Sequence, residues 1–328
     1  MQPKDLEHLP RLPEVIYRPG RREEDAASYV TLLQACQHID EIDPFSTLEG
    51  LPTVEEMAVS FASLDPQRML VAEADALMIG CVRTIWWEEE DGTWLFLHSG
   101  RVLPEWRGQG LGTGFVHWAE QRLRERAGMY PTNGKGTFGA NASSTETSAT
   151  ELLLNEGYAV YYTSAQMEFT TFTHLQRPPL PEGFELRTVM PEHYRAIWEA
   201  GRCHWAGLTK VSSMPTEEHY QEFLRLVTLD PALLLVIWHD RQPVAIVQGH
   251  MAQETGIVDD VVVSPAYKRR GLAQAAMTEA LMTMRERGAK RIRLHTDASN
   301  RHGARSLYEK MGFRAVKLFP RYRKPMGM

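Results

Sequence analysis

The chain is predicted to be an α/β protein built from two similar domains in tandem, and three observations predict it. A strand, a basic glycine-bearing turn and a helix occur in that order twice. The strands and helices ahead of each copy also recur in the same order, and a proline-rich stretch separates the halves.

The later copy is Val261-Val262-Val263-Ser264-Pro265-Ala266-Tyr267-Lys268-Arg269-Arg270-Gly271-Leu272-Ala273. Branched apolar residues ending at a proline fit a buried strand that stops where an N–H can no longer be donated. Gln274 to Arg287 continues with helix formers up to Gly288. The helix starts without an evident capping side chain. Its free N–H groups, its dipole and Lys268, Arg269 and Arg270 together suit a phosphate. The earlier copy, Val102-Leu103-Pro104-Glu105-Trp106-Arg107-Gly108-Gln109-Gly110-Leu111-Gly112, matches it at one offset, 263 − 102 = 161. Pro265 then falls on Pro104, Tyr267 on Trp106, Lys268 on Arg107, Gly271 on Gly110 and Ala273 on Gly112.

Taken from its start, the chain opens with an extension, residues 1–13, that carries no strong pattern. The first domain is placed at 14–172. Glu14 to Gly20 reads as a strand and turn, and Glu23 to His38 as a helix with Tyr29, Leu32, Leu33 and Cys36 on one side. Val54 to Leu64 reads as a second helix opened by Thr53. Three strand-like runs follow, Met69–Glu73, Met78–Trp87 and Trp94–His98, with Asp91-Gly92 as a hairpin signal. They lead into the first turn and the helix Leu111–Ala127. A linker is placed at 173–183, where Arg177-Pro178-Pro179-Leu180-Pro181 cannot continue a sheet interior. In the second domain, 184–328, the programme repeats: Phe184–Arg187, helices at Glu192–His204 and Thr216–Leu226, and a hairpin of Leu233–His239 and Val244–Met251.

With 43% hydrophobic and 24% charged residues, composition is that of a globular protein, and a net charge of −6 argues against nucleic-acid binding as the main activity. Three scattered cysteines form no metal pattern, so no metal is expected and a reduced, cytoplasmic setting is. No apolar run is long enough to span a membrane, and none is expected as a partner.

The pattern basic-x-x-Gly-x-Gly/Ala after a Val-x-Pro strand end resembles the acetyl-CoA site of the GNAT acyltransferases. The late stretch Leu294-His295-Thr296-Asp297-Ala298-Ser299-Asn300, followed by Leu307-Tyr308-Glu309-Lys310-Met311-Gly312-Phe313, completes the resemblance in the second half. The resemblance implies two tandem domains, each a mixed, strongly twisted sheet flanked by helices and splayed beside its fourth strand to admit the pantetheine arm. It further implies acetyl-CoA as cosubstrate and a small-molecule or peptide amine as acceptor, attacking directly in a ternary complex. Coenzyme contacts are expected from Val261, Val262, Val263, Lys268, Arg269, Arg270, Gly271, Leu272, Ala273 and Asn300. In the first half they are expected from Val102, Arg107, Gly108, Gln109, Gly110, Leu111 and Gly112. Lys268 departs from the family's usual Arg or Gln.

Acetyl transfer needs an unprotonated amine, a donor for the developing oxyanion and a proton source for the departing thiolate. Tyr308 is placed like the family's general acid. Asp259 and Asp260 precede Val263 on its strand, and because neighbouring strand residues face opposite ways only one of them can serve as base. His295 is a further candidate or a structural residue, and Asn300 a coenzyme contact or a helix cap. His204, Trp205, Tyr220 and Phe223 are candidate acceptor walls or core. At the offset 312 − 157 = 155, Leu153 stands opposite Tyr308 and Thr145 opposite Asn300. The first half is therefore expected to have lost or rerouted its chemistry while keeping a coenzyme turn, with catalysis in the second. A coenzyme sensor or scaffold without turnover is the alternative.

Overall fold

The computed structural model describes residues 6–132, 135–173, 175–205, 216–300 and 303–327. The chain divides into two units, Met1–Thr163 with Phe319–Met328, and Ser164–Leu318.

The first unit carries β1 (Ile16–Pro19), α1 (Ala26–Gln37), α2 (Val54–Ala62), β2 (Met69–Ala74), β3 (Leu77–Glu88), β4 (Trp94–Val102), α3 (Leu111–Ala127), β5 (Gly136–Asn141) and α4 (Thr147–Asn155). Thr53 caps α2 as expected, in a reciprocal box with Glu56. Strands β1 to β4 form an antiparallel meander, and β5 then lies parallel to β4. Helix α3 buries Leu111, Phe115, Trp118, Ala119 and Leu123 on one side. Within residues 6–13, Leu9 is buried, and the Tyr17 hydroxyl donates to the Pro10 carbonyl at 2.7 Å.

The chain continues through β6 (Ala159–Phe169), and the second unit adds β7 (Phe184–Arg187), α5 (Tyr194–Trp205), α6 (Glu217–Leu229), β8 (Leu234–His239), β9 (Gln242–Ala252), β10 (Thr255–Val263), α7 (Leu272–Glu286), β11 (Arg291–Asp297), α8 (Ala304–Lys310) and the first residues of β12 (Arg314–Pro325). The meander is again antiparallel from β7 to β10, and β11 is parallel to β10.

The halves of the sequence exchange strands. Ser164–Phe169 of β6 pairs antiparallel with β11 in the second unit. Arg321–Pro325 of β12 pairs antiparallel with β5 in the first. The units thus part at Thr163 and return Phe319–Met328 to the first, whereas the sequence placed the linker at 173–183 and all of 184–328 in one domain. The difference arises because backbone hydrogen bonds to strands far along the chain, which leave no local mark, decide where β6 and β12 belong. In the first unit the incoming segment is anchored by charge: Arg323 forms a two-pronged ion pair with buried Glu89 at 2.6 and 2.8 Å, and Lys324 reaches buried Glu120 at 2.7 Å.

Candidate active site

In each unit the parallel pair of strands parts before its end. The β4–β5 register runs only to His98↔Ala140, although β4 continues on β3 as far as Gly80↔Val102. The β10–β11 register stops at Ile257↔Arg293, while β10 goes on to Val263 against β9. One edge of Ser99–Val102 and of Val258–Val263 therefore has no neighbouring strand in its register, leaving peptide groups that a strand-like ligand can pair with.

Both open edges run into the repeated turn. In the first, Gly108 and Gly110 have φ of 76° and 86°; in the second, Arg269 and Gly271 have φ of 61° and 79°. Gly110 and Gly271 stand at the N-caps of α3 and α7 without a side-chain cap bond. The first N–H groups of each helix are thus left for an anion. A Cβ on Gly271 would meet nothing within 4 Å. Lys268 and Arg269 are exposed and have no ion-pair partner among the described residues. The Arg270 guanidinium lies over the Tyr267 ring, 5.4 Å from its centroid. Leu111 and Leu272 are 1% exposed, so their side chains anchor the turns in the core and only their backbone can meet a ligand. Val262 is likewise buried, whereas Val261, Val263 and Ala273 are half-buried.

The first turn differs in its basic residue. Arg107 donates to both Asp40 oxygens at 2.7 and 2.8 Å and to the Val102 carbonyl at 3.1 Å. Its cation is balanced within the protein, where it ties the end of β4 to the segment after α1. Gln109 is exposed and donates to the Glu105 carbonyl. The cleft beside this turn has a volume of about 500 Å³ and is walled by Gly108, Gly110 and Gly112 on one side and Leu152 and Leu153 on the other. Within it, Arg101 of β4 pairs with buried Glu146 at 2.5 Å.

In the second unit the open edge holds the expected carboxylates. The β9–β10 register shifts between Val258 and Asp260, a bulge that leaves Asp259 without a cross-strand partner. Asp259 is exposed, and its carboxylate is held by His250 Nδ1 at 2.8 Å, which raises the His250 pKa. Asp260 is half-buried; burial and then the neighbouring Asp259 charge push its pKa up to about 6. Tyr308 of α8 is 6% exposed, with its pKa raised by burial and by the Asp260 charge. Its ring packs edge-on to Phe313, and no described residue hydrogen-bonds its hydroxyl. The Asp260 charge thus reaches Tyr308, whereas Asp259 is turned toward His250.

Asn300 is engaged locally: its amide donates to Ser306 Oγ at 2.7 Å and accepts from the Ser306 N–H, so it braces α8. His295 meets Gln166 at 3.2 Å. Tyr220 and Phe223 stack on each other in a core between α5 and α6, and the side chains of His204 and Trp205 lie outside the described residues. No metal-holding group of His, Cys, Asp and Glu occurs among the described residues. Nor is any helix among them long and apolar enough to cross a membrane.

Sequence reasoning missed one buried polar group in the first unit, His98, Tyr158 and Glu120. The available signal was Glu120 itself, an acid spaced four after Val116 and three before Leu123 on the apolar face of α3.

A meander, a parallel pair that parts, and a helix opening on an uncapped glycine turn, present twice, define a tandem α/β protein of the acyltransferase fold. Residues 33–135 and 194–313 match the acetyltransferase (GNAT) family profile, and the chain belongs to that family of N-acetyltransferases. It is 25% identical over 302 residues to a mycothiol acetyltransferase of Salinispora arenicola, covering 88% of this chain and 90% of the relative. An N-alpha-acetyltransferase MAK3 of Arabidopsis thaliana is 29% identical over 130 residues, 38% of this chain and 68% of that one. Among solved structures, a GCN5-related N-acetyltransferase from Sphaerobacter thermophilus superposes with a TM-score of 0.79 at 25% identity, covering 97% of both chains. A tandem GNAT protein of the clavulanic acid biosynthesis pathway has the same fold, with a TM-score of 0.68 at 13% identity, covering 96% of this chain and 99% of that one. The family supports acetyl transfer over the sensor or scaffold alternative, and acetyl-CoA is the family's cosubstrate.

Proposed function

We propose that the second unit transfers acetyl from acetyl-CoA to a primary amine in a ternary complex, with Asp260 as base and Tyr308 as acid. The observation that carries this reading is Tyr308: a buried phenol with no hydrogen-bond partner among the described residues, under the influence of the Asp260 charge. The residues present suit the coenzyme. Lys268, Arg269 and the N–H groups after Gly271 offer a diphosphate site, and the free edge of Val261–Val263 offers peptide groups to the pantetheine amides.

The proton bookkeeping follows from the two shifted groups. The amine nitrogen bonds to the thioester carbonyl carbon, and its surplus proton passes to Asp260, directly or through water. At pH 7 Asp260 is mostly ionised, and its raised pKa, about 6, makes it a better acceptor than an ordinary carboxylate. Once protonated, Asp260 no longer opposes ionisation of Tyr308. The phenol therefore becomes a stronger acid at the moment the C–S bond breaks, when the thiolate sulfur requires a proton. Asp259, held by His250, would keep the bulge in place and contribute charge to Asp260.

The relatives' names point to amine acceptors of two sizes, a small thiol compound and the α-amine of a peptide. Free-thiol release from acetyl-CoA, measured with small amines and peptide N-termini in parallel, tests both the reaction and the acceptor. Tyr308→Phe that retains the full rate with every productive amine would remove the acid assignment.

A further inference from the structure

We propose that the first unit is a second acyl-transfer site, working through a proton path His98–Tyr158–Glu120 in place of the acid missing at Leu153. This rests on the family's use of acyl-CoA and not on the roles assigned to Tyr308 and Asp260. His98 is the last β4 residue paired with β5, so it stands at the fork where the strands part, and it lines the 500 Å³ cleft beside the glycine turn. The side chain is 4% exposed, and its Nε2 lies 2.9 Å from the Tyr158 hydroxyl. That hydroxyl donates to Glu120 Oε1 at 3.0 Å. Having one proton to give, Tyr158 must accept from His98, which fixes the Nε2–H tautomer. Nδ1 is left as an acceptor with no partner among the described residues.

Glu120 is also bound by Lys324 at 2.7 Å and by Arg124 at 2.9 Å. Glu120, Arg124 and Lys324 line a second cavity, of about 520 Å³, with His8, His117 and Gln121. The path therefore joins two cavities. Its residues are an odd choice for packing alone, since a His and a Glu buried in one core cost free energy unless their polar atoms are used.

In the step this arrangement supports, an amine nitrogen bonds to the acyl carbonyl carbon and the C–S bond breaks, its electron pair leaving on sulfur. The amine proton goes to His98 Nδ1, the Nε2 proton to the Tyr158 oxygen and the Tyr158 proton to Glu120, while the thiolate takes a proton from water. The products are an amide and a free thiol. His98 remains neutral throughout and only exchanges tautomers, so its resistance to becoming a cation in this core does not block transfer. Glu120 becomes the neutral acid, which returns its proton through the second cavity.

The test uses the full chain carrying Tyr308→Phe, with thiol release from acetyl-CoA and from propionyl-CoA measured against an amine panel. A residual amine-dependent rate is expected, and adding His98→Gln or Tyr158→Phe should lower it by about 100-fold. Tyr158→Phe keeps the ring and removes only the hydroxyl. A proton inventory of the residual rate in mixed light and heavy water should be bowed, because several protons move together. Absence of an amine-dependent rate, a linear inventory, or folded double variants with an unchanged rate would each overturn the proposal. Should Tyr308→Phe alone leave the rate unaltered, the assignment in the second unit fails, and the first unit is then read from the fraction of the rate that His98→Gln removes, with no loss overturning the proposal.

Discussion

Burial, and after it the Asp260 charge, raises the pKa of the Tyr308 phenol, so the protonation state of one acid bears on the strength of the other. In the proposed mechanism this influence orders the two proton transfers, and it distinguishes Asp260 from Asp259, whose carboxylate is taken by His250. Tyr308→Phe is expected to lower kcat for thiol release by about 100-fold with little change in KM for acetyl-CoA. Steady-state kinetics on both substrates checks this, and a change confined to KM would contradict it.

Asp260 gives rise to opposite effects on rate and stability. Its folded pKa, about 6, exceeds the unfolded value near 3.9, so between these values the native state holds more protons than the unfolded chain. The stability contributed by the protonated form is fully present below about pH 4 and is lost as pH rises through about 6. Asp260→Asn should therefore raise Tm at neutral pH while abolishing the acidic limb of the pH–rate profile near pH 6. A variant that is both less stable and unchanged in its profile would count against the assignment.

His98 contributes with the other sign. Burial pushes its pKa down to about 4, so the unfolded chain takes up a proton between about pH 6.5 and 4 that the native state refuses. Relative to a His98→Gln variant, the wild type should lose up to roughly 3 kcal/mol of stability as pH falls through that window. Denaturant melts of both proteins at neutral and acidic pH measure the difference, and parallel pH dependences would refute it.

The two basic residues at matching places in the repeat should separate by role. Arg107→Ala leaves Asp40, 5% exposed, without its partner and should cost about 3–5 kcal/mol in denaturant unfolding. Lys268→Ala should leave stability nearly unchanged and raise KM for acetyl-CoA. Equal losses of stability in both variants would show that Lys268 also has a structural role.

Arg269 holds a left-handed backbone, φ 61°, where the first copy of the turn has Gly108. Arg269→Gly should relieve about 1 kcal/mol of backbone strain, partly offset by the greater freedom of glycine when unfolded. It should also weaken coenzyme binding through loss of the guanidinium. Tm and KM measured together check both directions, and tighter binding by the glycine variant would be the contrary outcome.

The sequence by itself determined the duplication, the meander before each turn, the Thr53 cap and the uncapped helix starts at Gly110 and Gly271. Each of these is written in neighbouring residues, through side-chain period, backbone dihedrals or a missing N–H. It also separated Tyr308 from Leu153, because side-chain chemistry can be read at a known offset. Only the tertiary structure decided which partners were taken. Arg107 looks like a phosphate ligand until Asp40, 67 residues away, claims it. Asn300 turns to Ser306, Asp259 to His250, and the glycine-rich β5 becomes a strand because β4 and β12 supply its hydrogen bonds. The strand exchange and the His98–Tyr158–Glu120 path belong to this second kind, since long-range pairing and desolvation exist only once the chain has closed on itself.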